Sequence, residues 1–375
     1  MKIGIDARAA IWYRGTGIGT YTYQIIKNLS HIDKTNNYRL FWPGNASKDF
    51  LEASENFDFD VVGETKDKFW EEIHIPARLA DDKVDVYHVP QNGIGLPTKK
   101  TCPQVVTVHD LIPYVYPETV GRGYQRIFLQ EMPRIVEQAD RIITVSEHSK
   151  RDLKRYFNLP DGKIDVVYEA AEDIYRPMDK ETCRALVRER YGVQGRFILY
   201  VGGFSPRKNV PGLIRACHKV GKDLPDGVIL VIVGKPVRAF EELVSLVENL
   251  GLKDRVLFTG FAPTEDLPVI YNAAGLFVYP SFYEGFGLPP VEAMACGTPV
   301  ITSNASSLPE AVGDAALTVE PHDIDGLAGA MFDVLSDPGL AADLIRRGLE
   351  RSNSLTWMKA AGQTLQSYLA TASGG

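Results

Sequence analysis

The sequence predicts an α/β protein of two doubly wound domains, each built on a parallel sheet. Three observations carry this expectation. Short apolar, β-branched runs alternate with helical patterns along the whole chain, as βαβ units require. The runs fall into two successive series, which places a cleft between two sheets. The 375 residues suffice for two domains of ordinary size, each with its own core.

The first series holds candidate strands at 2–7, 38–42, 60–62, 85–89, 105–109 and 142–145, with a further one at 164–168. The second opens at 197–203 and continues at 228–234, 256–260, 276–279, 299–302 and 316–319. Between them, Arg176-Pro177, a charged helical piece and the pair Gly192/Gly195 mark a junction. The expected division is therefore a first domain over 1–170, a linker over 171–195 and a second domain over 196–355. A closing amphipathic helix follows over 356–372, and the tail Ser373-Gly374-Gly375 is expected to be disordered. The helical stretch 121–138 carries Tyr124, Arg126, Phe128 and Arg134. Packing of one face on the core is its expected use; contact with a membrane surface or a lipid-linked acceptor is the alternative.

Composition narrows the class. A formal net charge of -7 argues against nonspecific nucleic-acid binding, which needs a basic surface. Apolar content of 45% and charged content of 24% are ordinary for a globular protein. Cys102, Cys183, Cys217 and Cys296 lie far apart with no Cys-x-x-Cys pair, which favours a reducing compartment over a disulfide framework or zinc site. The chain opens directly on a strand pattern, so no leader is expected. No apolar run approaches the roughly 20 residues that span a bilayer.

The most informative segment is Glu284-Gly285-Phe286-Gly287-Leu288-Pro289-Pro290-Val291-Glu292. It joins the apolar run 275–280 to a helical pattern that Gly297 closes. The paired prolines suit a first helical turn, where backbone N–H groups have no intrahelical partner. Exposed amides of Gly285, Phe286, Gly287 and Leu288, with the positive end of the helix dipole, would then make a site for a diphosphate. Glu292, about one turn into the helix, would accept hydrogen bonds from a ribose diol. Glu284, on the other side of the anion, would hold a second polyol. Sugar, diphosphate and ribose in a row describe a nucleotide sugar. An ordinary glycine turn followed by a solvated acid is the plainer reading of two acids alone; the Gly-Phe-Gly turn, the prolines and the long apolar flanks weigh against it.

This segment, extended by Tyr279-Pro280-Ser281 and by Ala293-Met294-Ala295-Cys296-Gly297-Thr298-Pro299-Val300, resembles the E-x7-E signature of the retaining glycosyltransferase family 4. The resemblance runs over nearly the whole chain and is greatest to bacterial mannosyltransferase-like members that assemble cell-surface polysaccharides. It implies the GT-B fold: two Rossmann-like domains facing across a cleft, with the C-terminal helix crossing back to the first. It also implies a nucleotide-sugar donor, no cofactor and no catalytic metal. A cytoplasmic protein is implied, free or peripheral at the inner face of the cell membrane.

Other residues gain a role through the same resemblance. Glycines in Tyr13-Arg14-Gly15-Thr16-Gly17-Ile18-Gly19 follow a strand and precede a helix, where backbone can approach a phosphate; alone they equally suit a plain loop. The family loop at this place faces the donor diphosphate, which implicates Gly17 and Gly19. Ser205-Pro206-Arg207-Lys208-Asn209 follows the strand 197–203, and Arg207 and Lys208 match the family's cationic loop against the leaving diphosphate. Phe204 departs from the family pattern, where many members carry arginine directly after the second glycine. His109, in the His-Asp motif at the end of a strand, matches the histidine that contacts the transferred sugar, and is preferred to His88. Asp110 would either orient His109 or cap the next helix. Ser146 reads as a helix cap with a supporting place near the cleft. Asp58-Phe59-Asp60 and Asp323-Ile324-Asp325 read as surface features rather than a metal site.

The expected reaction is transfer of a hexose, with retained configuration, from a nucleotide diphosphate sugar to a saccharide or lipid-linked saccharide. GDP-mannose is the first expectation for the donor and a UDP-sugar the second. Near 66–75 and 91–96, where members diverge, lies the expected acceptor contact. A GT-B nucleotide-sugar epimerase, or a non-catalytic nucleotide-sugar-binding protein, would share the architecture; incubation with donor alone separates the epimerase.

Overall fold

The computed structural model describes residues 1–44, 54–62, 68–221, 227–235 and 240–374. The chain divides into two compact units, Met1–Glu169 with Thr356–Gly375, and Ala170–Leu355.

The first unit holds β1 (Lys2–Asp6), β2 (Asn37–Pro43), β3 (Phe57–Val62), β4 (Val86–Val89), β5 (Gln104–Val108), β6 (Arg141–Thr144) and β7 (Ile164–Val166). They form one sheet in the order β3-β2-β1-β4-β5-β6-β7, with every described pairing parallel. Helices cover both faces of such a sheet, so its central strands read as continuous apolar runs. Val105, Val106 and Val108 of β5 are accordingly all buried. Helix Arg122–Gln138 turns Phe128, Met132, Ile135 and Val136 into that core and leaves Tyr124 and Ile127 at the surface. Core packing is therefore what its periodicity encodes.

Helix Trp357–Ser373 completes the first unit by packing on helix Gly17–Ile32. Tyr368 brings its hydroxyl to 2.7 Å from His88 Nδ1, Ser367 donates to Asp165 at 2.6 Å, and the Trp357 ring lies 6.1 Å from that of Tyr21. The return of this helix to the first unit is the GT-B feature expected. It runs on through Ser373, so the tail expected to be disordered begins inside a helix; Gly375 lies outside the described residues.

The second unit holds β8 (Phe197–Val201), β9 (Ile229–Val233), β10 (Val256–Gly260), β11 (Leu276–Tyr279), β12 (Val300–Ser303) and β13 (Leu317–Val319). Their order is β10-β9-β8-β11-β12-β13, again parallel throughout. The stretch 171–195, expected to link the domains, lies within this unit: helix Lys180–Tyr191 packs on helix Leu267–Ala273, and Asn272 accepts from Met178 N–H at 2.8 Å.

Of the two Asp-x-Asp matches, the first is not a simple surface feature. Asp60 is buried on β3 and bridges His74 at 3.0 Å and Arg78 at 2.6 Å, whereas Asp58, on the same face of the strand, is exposed. Asp323 caps the helix Ile324–Ser336, and Asp325 pairs with Lys219. The four cysteines are buried free thiols. No described helix is long and apolar enough to cross a membrane.

Candidate active site

In the second unit the strand order reverses between β8 and β11. The crevice outside their carboxyl ends is where ligands bind in open parallel sheets. Loop 202–209 leaves β8 there and loop 280–287 leaves β11. The two loops are laced together. Phe282 N–H donates to the Arg207 carbonyl at 2.7 Å, and Arg207 Nη1 donates to the Tyr283 carbonyl at 2.8 Å. Asn209, in left-handed backbone at φ 54°, donates from Nδ2 to the Pro280 and Pro321 carbonyls at 3.2 and 2.7 Å.

Glu284 stands at the centre of this lacing. Lys208 Nζ lies 2.7 Å from its Oε1 and Arg207 Nη1 lies 2.9 Å from its Oε2. Lys208 also donates to the Tyr279 hydroxyl, its ammonium 4.9 Å from that ring's centroid. The Glu284 backbone is clamped too. Its N–H donates to Ser306 Oγ at 2.9 Å, and Ser307 Oγ donates toward the Glu284 and Phe286 carbonyls at 2.9 and 2.8 Å. Burial pushes the Glu284 carboxyl up, but the charges of Lys208 and Arg207 outweigh it and hold the group at about 2. The basic pair and Glu284, expected to act on different parts of a ligand, thus form a single ion-paired cluster.

Helix Leu288–Ala295 starts directly after Gly287, with proline in its first turn. Gly287 has φ 120°, and a Cβ there would sit 2.7 Å from Leu308 Cδ2, so both backbone and packing require glycine. The amide cradle is less open than expected: Phe286 and Gly287 are buried, and Gly285 and Leu288 are half-buried. The apolar Phe286 side chain drives this, since only 3% of it reaches solvent. Glu292, half-buried on the same helix, accepts from Tyr271 Oη at 2.9 Å. Tyr175 hydrogen-bonds the same carboxylate, its ring 5.8 Å from that of Tyr271. Burial, and then the Glu292 charge, hold both phenols well above their ordinary range, so both serve as donors. Phe204 is buried against Phe240 and Phe258 with ring centroids at 6.0 and 6.5 Å. Arg207 and Lys208 supply positive charge to this crevice.

The first unit places its own candidates separately. His109 is buried just beyond β5, with Nε2 3.0 Å from the Pro90 carbonyl and Nδ1 3.4 Å from Glu169. Its N–H donates to Asn92 Oδ1 at 2.8 Å, and its carbonyl accepts from Ser149 Oγ at 3.0 Å. Asp110 accepts from Ile112 N–H at 2.9 Å in the turn before helix Ile112–Val115, whose N-cap position is Leu111. Ser146 caps helix Glu147–Phe157 by accepting from Ser149 N–H at 3.0 Å. Gly17 and Gly19 open helix Gly17–Ile32, where Thr16 already accepts from Gly19 N–H at 3.3 Å. A side chain at Gly19 would collide with the Tyr13 carbonyl, which is a packing reason for that glycine.

Several partners of these groups lay outside the sequence reading. Tyr271, Tyr175, Ser306, Ser307 and Glu169 stand close to Glu292, Glu284 and His109 only through the fold. Ser306-Ser307 before Leu308 was the one local signal, and it reads as a helix start rather than as a clamp. Among the described residues, no group of three or more His, Cys, Asp or Glu is placed to hold a metal ion.

The profile for "Glycosyl transferases group 1" matches residues 188–351, and that for "Glycosyltransferase Family 4" matches residues 15–172. The O-antigen chain mannosyltransferase B of Escherichia coli is 32% identical over 384 residues, covering 98% of this chain and 99% of that protein. The chain belongs to this glycosyltransferase family. The glycosyltransferase is also 28% identical over 92% of its length to the serotype-specific mannosyltransferase WbdA of Escherichia coli, of which it spans 44%. Among solved structures, Anabaena HepE in complex with UDP and glucose superposes on the glycosyltransferase with a TM-score of 0.73. That likeness covers 99% of both chains at 20% identity and shows the shared GT-B fold.

Proposed function

We propose that this glycosyltransferase moves a mannosyl group from a nucleoside diphosphate sugar to a saccharide or lipid-linked saccharide acceptor in the assembly of a cell-surface polysaccharide. The observation that carries the reading is the Arg207–Lys208–Glu284 cluster at the carboxyl ends of β8 and β11, beside the start of the helix that bears Glu292. Mannose as the sugar is supported by the O-antigen mannosyltransferase relative, which matches over the full chain. GDP is the first choice of nucleotide. UDP, which HepE holds, is the second.

In the proposed reaction the bond between the sugar's anomeric carbon and the diphosphate oxygen breaks as the acceptor hydroxyl bonds to the same face. The acceptor proton passes to the departing phosphate oxygen, so configuration is retained without a covalent enzyme intermediate. Positive charge grows on the sugar and negative charge on the diphosphate. Arg207, Lys208 and the backbone amides of 285–288 stabilise the anion, the largest contribution expected in such a site. Glu284 faces the cationic sugar, and Glu292, oriented by Tyr271 and Tyr175, binds the ribose diol and fixes position. Charge neutralisation is thus assigned to side chains and amides rather than to a metal. His109 is assigned to the transferred sugar, as the family resemblance implies, with Gly17 and Gly19 on the diphosphate side.

The acceptor is assigned to the first unit near 91–96 and 66–75, of which Lys66 and Asp67 lie outside the described residues. The exposed apolar side chains Phe69 and Ile73 there, and Ile127 on helix Arg122–Gln138, suit a lipid-linked acceptor or a peripheral membrane contact. The test is a thermal-shift screen of GDP, UDP and ADP, followed by NMR of the product formed from the matching mannose donor and a mannosyl acceptor. Stabilisation by one nucleotide and an α-linked product are expected from an α-linked donor. An inverted linkage, or donor consumption independent of acceptor, would sink the proposal.

A further inference from the structure

We propose that Glu284 is a resident counter-ion that competes with the donor diphosphate for Arg207 and Lys208, and so keeps the affinity for the nucleoside diphosphate product low. This rests on the diphosphate reading of the crevice. It adds that the glutamate expected to grip the sugar also acts against the anion.

Three observations combine. First, both cations assigned to the diphosphate are already committed, one to each oxygen of the same carboxylate, at 2.9 and 2.7 Å. Second, the cluster is poorly hydrated: the Arg207, Lys208 and Glu284 side chains are 16%, 12% and 9% exposed. Charges there are weakly screened, and a second anion sharing the two cations is repelled by the first. Third, the Glu284 backbone is held by Ser306 and Ser307, and its side chain is only 9% exposed.

The same carboxylate changes sign of effect along the reaction. Toward the intact donor and the released diphosphate it is repulsive. Toward a sugar that has gained positive charge in the transition state it is attractive. An interaction favourable only at that point raises turnover rather than affinity. After transfer the sugar leaves with the acceptor, and the diphosphate faces the repulsion alone.

The experiment is calorimetric titration of inorganic pyrophosphate and of GDP into the full chain, its Glu284→Gln variant and its Lys208→Ala variant. Glu284→Gln should bind both anions about tenfold more tightly while turning over more slowly. A structural role would not tighten binding. Because unpairing buried cations lowers stability, melting curves with and without pyrophosphate give a second readout. Pyrophosphate should raise the melting temperature of Glu284→Gln more than that of the unmodified chain, and a variant that folds only with pyrophosphate supports the proposal equally. Equal or weaker anion affinity in Glu284→Gln, with Lys208→Ala weakened, overturns the inference and leaves the diphosphate reading standing. Unchanged affinity in Lys208→Ala overturns both.

Discussion

Lys208 Nζ stands 2.7 Å from Glu284 Oε1, although 76 residues separate the two along the chain. Adjacent parallel strands β8 and β11 bring their loops to the same edge, within reach of one another. Replacing Lys208 by Ala should lower turnover by about 10²–10³, the usual effect of losing one preorganised group that faces a developing anion. Initial rates with saturating donor measure it. A rate near that of the unmodified chain would mean that the diphosphate sits elsewhere.

A second expectation concerns Glu292, held by Tyr271 at 2.9 Å. Glu292→Ala should weaken nucleotide diphosphate binding by roughly tenfold or more, since hydrogen bonds to a charged group contribute about 1.5–3 kcal/mol. Tyr271→Phe should act in the same direction with a smaller effect, because it frees the carboxylate to wander without removing it. Calorimetry on both variants decides. If Glu292→Ala binds as tightly as the unmodified chain, its ribose role is gone.

Acid should destabilise the protein in two stages. Burial, with a smaller contribution from His109, lowers His88 to about 3. The unfolded state therefore takes up a proton from about pH 6.5 downward that the folded state refuses, and stability falls as pH drops from 6.5 toward 3. Glu284 adds stability that is fully present above about pH 4.5 and is lost as pH falls toward its folded value of about 2. Denaturant unfolding at pH 7, 5.5 and 4.5 should show a decline that a folded His88→Gln variant lacks in its upper part. A flat profile across that range would contradict the assignment.

Gly287→Ala should cost about 1–3 kcal/mol, the range for a side chain forced into positive φ. The contact with Leu308 adds to this and shifts the loop that carries Glu284. A lowered melting temperature, with a loss of activity larger than the loss of folded protein, is the expected pair of results. An unchanged melting temperature would show that the loop relaxes at no cost.

The architecture was legible because parallel strands buried on both faces spell themselves out as apolar runs such as Phe197–Val201 and Ile229–Val233. Ends were less legible. β3 begins at Phe57 rather than Asp60, since Phe57 and Phe59 alternate with acids that mask an edge strand. In the site, the spacing of Glu284 and Glu292 and the placement of Arg207-Lys208 after a strand could be read directly. What could not be read is which groups these side chains touch. The salt links from Arg207 and Lys208 to Glu284, the tyrosines on Glu292 and the Glu169 carboxylate beside His109 all depend on loops meeting over long sequence distances. Burial of Phe286 was likewise hidden, because a Gly-Phe-Gly turn carries no mark of which way its ring points.

The first unit is discontinuous in the chain and the second is continuous. Dissection should therefore be asymmetric. A gene fragment for 170–355 encodes all six strands of the second sheet and both loops that carry Arg207, Lys208 and Glu284, and is the fragment to express alone. A fragment for 1–169 lacks the helix that supplies Tyr368 to His88 and Ser367 to Asp165. It would leave a polar pair and an apolar helix face without cover, and its rescue would require the missing helix to be grafted back or added as a peptide.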